Sequence, residues 1–191
     1  MRHMPMPGVF APIWQKKLQS FSQDKRGIAA VEFALIATPF FFLIFGLLEI
    51  CVIFIMSSIL EHAASEASRQ IRTGQFQSAT NSSGGSLGLT DFENMICPEL
   101  FGLMDCNGIE VDVQTFTDFS GAPNSTPPID SSGDFDNSSF GFDAGGANDI
   151  VVVRVFYQWD LIIPGLSLPL ANINGNKRLL QSTIAFRNEP F

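Results

Sequence analysis

The sequence predicts an α+β protein, in which a long N-terminal transmembrane helix continues into the periplasm and packs with a small antiparallel β-sheet domain. Residues 33–60 carry a single charged side chain, Glu49, and this apolar run exceeds the about 20 residues that cross a membrane. Beyond Leu60, apolar side chains recur at the spacing of helical turns. Three strand-like stretches then follow without a crossover helix between them, which favours antiparallel pairing.

The distribution of charge predicts the orientation of the chain in the membrane. Residues 1–27 contain five basic side chains and one acid, a net charge of +4, so that residues 28–191 carry −12 and the whole chain −8. Basic flanks stay in the cytoplasm. We therefore expect a single-pass protein with a cytoplasmic N-terminus and a periplasmic C-terminal domain. The acidic domain also argues against a nucleic-acid partner, because it would repel phosphates.

Changes in composition divide the chain into four predicted parts. They are a cytoplasmic leader at 1–27, a transmembrane and membrane-proximal helix at 28–74, a linker at 75–90 and a periplasmic α+β domain at 91–191. The helix is expected to run from Ile28 to Thr73, because Gly74 is a natural helix stop.

Local patterns predict the elements of the C-terminal domain. Thr90 as N-cap, with Glu93 three residues later, predicts the start of a short helix. Alternating and β-branched residues predict three strands, at Ile109–Thr117, Ile150–Asp160 and Leu179–Arg187. The Gly, Ser, Asp and Pro content predicts exposed loops at 118–149 and 162–177.

The junction between the basic leader and the apolar helix carries an unusual pattern, DKRGIAAVEFALI at Asp24–Ile36. A basic pair precedes Gly27, and Glu32 and Phe33 stand fifth and sixth after that glycine. A secretory signal is cut after its apolar region, whereas here the polar-to-apolar junction itself looks like the cut site. This arrangement resembles the class III signal of type IV prepilins, which implies cleavage between Gly27 and Ile28.

Two acids, Glu32 immediately before the apolar run and Glu49 within it, have two interpretations each. After cleavage, Glu32 would pair with the new α-ammonium of Ile28 on a neighbouring subunit, or it would face water among the lipid headgroups. Glu49 lies seventeen residues further, about 25 Å along a helix. It would reach periplasmic water at the opposite interface, or it would make an intramembrane contact with a partner helix.

The polar half contains two cysteines, Cys97 and Cys106, nine residues apart. A disulfide between them would be stable in an oxidising periplasm. The alternatives are free thiols, or two small buried apolar residues.

Several stretches together resemble the TadE-like family. The first is RGIAAVEFALIATPFFFLIFGLLEI at Arg26–Ile50, and EASRQIRTGQ at Glu66–Gln75 is similar to the end of the post-membrane helix in that family. The tail AFRNEPF at Ala185–Phe191 is similar to the characteristic C-terminus of the family, and the cysteine pair and the YQW of Tyr157–Trp159 fit it as well.

The resemblance implies a role in assembly of the tight-adherence (Tad, or Flp) pilus, as a minor pilin or pseudopilin in the bacterial inner membrane or in the extracellular pilus. It also implies partners: a prepilin peptidase, other Tad pilins and pseudopilins, and secretion-machinery proteins. The processed pilins of the family typically have Tyr after the Glu, where this chain has Phe33. An uncleaved bitopic adaptor of the Tad machinery is therefore the alternative.

No catalytic or metal-binding pattern accompanies these features. His62 and Glu66 share a helix face at i, i+4, but nothing else completes a metal site. The acidic loop with Asp130, Asp134, Asp136 and Asp143 lacks the Gly and the closing Glu of an EF-hand. We expect neither an enzyme nor a bound cofactor or metal, and a solubilising loop at 118–149.

Overall fold

A computed structural model of the chain describes residues 27–82, 84–119, 127–163 and 170–191. The predicted leader therefore lies outside the described residues except for Gly27. The chain divides into two compact units, 1–44 and 45–191. The described part of the first unit is the beginning of one long helix, and the second unit contains the rest of that helix and the sheet.

Helix α1, Ile28–Arg72, is 45 residues long, and its bounds confirm the sequence prediction to within one residue. Its apolar length is sufficient to cross a membrane. In the first unit its large apolar side chains are exposed. Such an apolar surface is typical of a helix that is surrounded by lipid.

From Gly46 onward, one stripe of α1 is buried against the rest of the second unit. Its apolar members recur every three or four residues, so they share one face; they are Ile53, Met56, Leu60, Ala63, Ala67 and Ile71. The small alanine side chains project little from the helix and allow the sheet to approach closely. This half of α1 is therefore a core helix of the domain as well as a continuation of the apolar segment.

Two short helices follow α1. Helix α2, Gln75–Ser78, lies inside the predicted linker, and helix α3 spans Leu89–Ile96. The prediction of Thr90 as the N-cap of α3 is wrong, because the cap is Gly88 and Thr90 is already helical. Asp91 reaches back to accept the Gly88 N–H at 2.9 Å, so the side chain that closes the first turn is two residues before the predicted Glu93.

The sheet has three antiparallel strands in the order β1-β2-β3, as predicted. Strand β1 spans Ile109–Phe116, β2 Ile150–Asp160 and β3 Lys177–Arg187. β3 begins two residues before the predicted start, because Lys177 still pairs with Asp160. Alternate side chains of β1 and β2, such as those of Val113 and Val153, point to the core that α1 covers.

The other face of the sheet is covered by the segment 127–149. Phe135 and Phe140 pack with Phe156 of β2 in a second apolar cluster, together with Ile173 and Leu179. The prediction that this segment is an exposed loop is wrong for these aromatic residues. Single phenylalanines among Asp, Ser and Gly carry no periodicity, so the sequence does not indicate their burial.

A buried ion pair lies under this cover. Asp112 and Arg154 stand directly opposite in the β1–β2 register and are only 1% and 8% exposed. Arg154 donates to one Asp112 oxygen from Nε at 2.8 Å and Nη2 at 2.6 Å. The other oxygen accepts the Gly141 N–H at 2.9 Å, and the guanidinium lies 5.8 Å from the ring centres of Phe140 and Phe156. The pair thus joins the covering segment to the sheet.

Candidate functional site

The predicted cleavage junction lies at the start of α1. Gly27 is the residue immediately before the helix, and Ile28 is its first residue. A Cβ added to Gly27 would meet no described atom within 4 Å. Packing against the described residues therefore does not require glycine here.

Glu32 and Phe33 lie one turn further along α1, and both are exposed. The Phe33 side chain is 69% exposed. Within the described part of the chain, no basic side chain forms an ion pair with Glu32. The site therefore consists of one carboxylate and one aromatic ring on a helix surface that is otherwise apolar.

Glu49 has a partner within its own chain. It is only 4% exposed, and its Oε1 accepts the Ile162 N–H at 2.5 Å, while the Ile163 nitrogen lies 3.3 Å from Oε2. A side chain so little exposed does not reach water, whereas the contact with a partner helix stays a prediction. The carboxylate instead accepts backbone N–H groups just beyond the end of β2, where sheet pairing ends.

The two cysteines of the polar half lie close together. The sulfur atoms of Cys97 and Cys106 are within bonding distance, and their Cα atoms are 5.5 Å apart, as in typical disulfides. The remaining cysteine, Cys51, is exposed on α1. The sequence allowed the first pairing but also two alternatives, because spacing alone does not determine how a loop folds back.

The tail packs against the end of α1. The Glu189 N–H donates to the Arg72 carbonyl at 2.8 Å, and the two side chains lie 3.8 Å apart as an ion pair. Gly74 has a φ of 77°, and a Cβ at this position would overlap the ring of Phe191. The glycine is thus required both by its backbone conformation and by the close approach of the ring.

Asn188 holds the same tail in place through side-chain hydrogen bonds. Its side chain is buried and donates to the carbonyls of Ala144 and Gly146 at 3.0 and 2.9 Å. The two stretches that resemble the family outside the membrane segment, 66–75 and 185–191, are in contact through Arg72 and Glu189. The sequence showed each stretch separately but not this contact.

The polar groups considered for metal binding have other partners. His62 lies 3.6 Å from Glu99, and Glu66 pairs with Arg69. Asp130 accepts the backbone N–H groups of Asp134 and Ser132 at 2.9 and 2.8 Å. These hydrogen bonds, that from Asp134 first, hold the pKa of the Asp130 carboxyl below its usual range. Among the described residues, no group of three or more His, Cys, Asp or Glu side chains is placed to hold a metal ion.

Comparison with known proteins agrees with the family resemblance. Residues 27–69 match the family model of TadE-like proteins, a range that begins at Gly27 and covers most of α1. No curated protein and no solved structure matches the chain. TadE-like proteins take part in pilus assembly, and the apolar helix indicates a membrane-anchored component. Residues 27–69 are therefore similar to TadE-like proteins, as the sequence pattern indicates.

Proposed function

We propose that this chain acts in Tad pilus assembly as a minor pilin or pseudopilin, whose apolar helix mediates assembly after cleavage between Gly27 and Ile28. The observation that carries the proposal is the coincidence of three boundaries. The family match begins at Gly27, α1 begins at Ile28, and the last basic residue of the leader is Arg26. A prepilin peptidase would act at that junction.

Glu32 supplies the proposed contact between subunits. Cleavage would create an α-ammonium at Ile28, four residues or about 6 Å along the helix from Glu32. An ionised carboxylate at membrane depth needs a partner, and no described side chain forms an ion pair with Glu32. Pairing with the α-ammonium of a neighbouring helix would neutralise both charges. It would also define the axial offset between the two helices.

The remaining parts of the proposal concern the second unit. We infer a periplasmic location for it, with Cys97 and Cys106 oxidised to a disulfide in that compartment. The sheet is held on the C-terminal half of the same helix that would enter the assembly. Other Tad pilins and secretion-machinery proteins are the proposed partners.

An uncleaved membrane adaptor is the second candidate function. Phe33 favours it, because the processed pilins of the family typically have Tyr at this position. In this case the leader would remain attached, Ile28 would have no free α-ammonium, and the periplasmic domain alone would bind the secretion machinery.

The N-terminus of the membrane-extracted protein distinguishes the two functions. The protein would be produced with the prepilin peptidase of its own Tad system and examined by N-terminal sequencing and intact mass. We expect a mature chain that begins at Ile28. Cells without the peptidase and the variant Gly27→Leu serve as uncleaved controls, and no described atom lies within 4 Å of a Cβ at position 27. An intact Met1 terminus in the presence of the peptidase would reject the cleaved pilin.

A further inference from the structure

We propose that the domain contacts lipid directly through a membrane-proximal rim, formed by Phe54 and Ile55 of α1 with Phe101, Leu103 and Ile162. In this arrangement the periplasmic boundary of the hydrocarbon lies near Ile55 and not at Glu49. The inference rests on the membrane anchoring that the proposed function assumes, but not on cleavage or on any pilus partner.

Because Glu49 is buried, its charge does not have to mark the end of the membrane segment. The uncharged run Phe33–Leu48 has sixteen residues and spans ~24 Å as a helix, less than the roughly 30 Å of bilayer hydrocarbon. Because the protein encloses the Glu49 carboxylate and backbone N–H groups satisfy it, this acid need not reach water. The surface that faces away from the sheet then stays apolar as far as Ile55.

Three contacts show how the sheet is aligned along α1 within the second unit. Ile162, beyond the end of β2, contacts Glu49. Phe101 lines one concave surface with Phe54 and Ile55. Phe186, near the end of β3, lies beside Arg69 at the other end of the helix. The loops before β1 and after β2 therefore face the N-terminal side of α1, which is the side of the membrane.

Three of the described exposed apolar side chains outside α1 lie at that end. Phe101 and Ile162 are 66% and 70% exposed, and Leu103 is also exposed. Phe101 has a φ of 53°, an unusual conformation for a residue with a Cβ, in the loop between Cys97 and Cys106. The loop thus holds a large aromatic ring away from the core of its own domain.

Lipid fits this surface better than a protein partner. The rim comes from three separate segments that lie within about 9 Å, or two turns, along one apolar helix, so a bilayer crossed by that helix would meet all of them. Among the charged side chains nearby, Lys177 pairs with Asp160, and the Asp105 carboxylate accepts the Asn107 N–H at 3.0 Å. The acidic remainder of the domain would be repelled by anionic headgroups, which leaves uncharged side chains as the means of contact.

Quenching of tryptophan fluorescence by brominated lipid tests the rim. Full-length protein with Trp14→Phe and Trp159→Phe would receive one new tryptophan and be reconstituted in phosphatidylcholine and phosphatidylglycerol liposomes. We expect brominated phosphatidylcholine to quench Phe101→Trp and Leu103→Trp by at least twofold. Phe119→Trp is the matched control, because Phe119 is an exposed ring beyond the opposite end of β1, and it should stay unquenched.

A tryptophan at Phe41, within the apolar run, separates this inference from the proposed function. Quenching of Phe41→Trp without quenching at positions 101 and 103 would reject the rim but keep the membrane anchor. Absence of quenching at Phe41 would reject both. If positions 101 and 103 are unquenched by lipid but lose iodide accessibility as protein density rises, the occupant is a second copy of the chain, and the lipid proposal is wrong.

Native Cys51 reports the position of the boundary independently. It is exposed on α1 between Glu49 and Phe54, so a hydrocarbon boundary near Ile55 would protect it from a membrane-impermeant maleimide. A cysteine at Ser65, introduced by Ser65→Cys with Cys51→Ser, should react at least tenfold faster in the same liposomes. Equal labelling rates at the two positions would place the boundary before Cys51 and overturn the proposal.

Discussion

Asp112 and Arg154 illustrate how a buried charge can be tolerated in a small sheet. Each lies on the side of the sheet away from α1, where the aromatic segment 127–149 excludes water. The ion pair is accompanied by a backbone hydrogen bond from Gly141, so the carboxylate has more than one donor. Such pairs often contribute little net stability, but the loss of one partner leaves an uncompensated charge.

We expect Asp112→Ala to lower the free energy of unfolding by about 3–5 kcal/mol, because Arg154 would remain buried without a counter-charge. Chemical unfolding of the full chain in detergent, followed by circular dichroism, measures this change. Asp134→Ala is the control, since Asp134 is an exposed acid of the covering segment and should change stability by less than about 0.5 kcal/mol. An equal effect of the two substitutions would show that the buried pair is not important for stability.

Glu32 is the residue on which the proposed assembly contact depends. Glu32→Gln keeps the size of the side chain and removes its charge, so the helix should still insert, while pairing with the α-ammonium of Ile28 is lost. We expect piliation and crosslinking to neighbouring subunits to be abolished. Glu61→Gln, on the same helix beyond the apolar run, should leave both unchanged. Normal pili in the Glu32 variant would contradict the pairing.

At the scale of elements, α1 and the sheet are held together at both ends of their contact. At the N-terminal end of the contact, Glu49 accepts N–H groups from the segment that follows β2. At the other end, Arg72 accepts from and pairs with Glu189, and Phe191 covers Gly74. Between them lies the alanine-rich stripe of α1. Contacts at both ends hold the sheet at a fixed position along the helix.

We expect Glu49→Ala to destabilise the attachment of the segment after β2 by about 1–3 kcal/mol, because buried backbone donors lose their acceptor. Limited proteolysis in detergent should then cut near residues 160–163 faster than in the unsubstituted protein. Glu49→Gln retains an acceptor oxygen and should have a smaller effect. Glu61→Ala, an exposed acid of the same helix, is the control, and equal cleavage rates in the two alanine variants would contradict this role.

For the whole molecule, the asymmetry of charge is the basis of the proposed orientation. The leader region is basic and the remainder strongly acidic, and short basic flanks stay in the cytoplasm. We expect alkaline phosphatase to be active when fused after Phe191 and inactive when fused after Lys17, because the enzyme requires the oxidising side of the membrane. The opposite pattern of activity in whole cells would reverse the proposed topology.

Sequence and structure agree best where the predictive pattern involves residues that are close together in the chain. The bounds of α1 differ from prediction by one residue, and β2 agrees at both ends, because apolar periodicity and β-branched content are local. Thr90 was the wrong cap, since Ser, Thr and Asp all occur near helix starts and the choice depends on which side chain reaches back. Phe135 and Phe140 were missed because their burial requires a distant strand.

The sequence by itself determined a helix of membrane length, three antiparallel strands, the direction of the charge asymmetry and the TadE-like segment. Each depends on residues that are near neighbours in the chain. Only the tertiary structure decided the partner of Glu49, the cover over Asp112 and Arg154, and the packing of Phe191 on Gly74. In these contacts a donor or a ring meets a group that is far away in the sequence. No local pattern specifies which distant group it will meet, because the compact fold brings the two together.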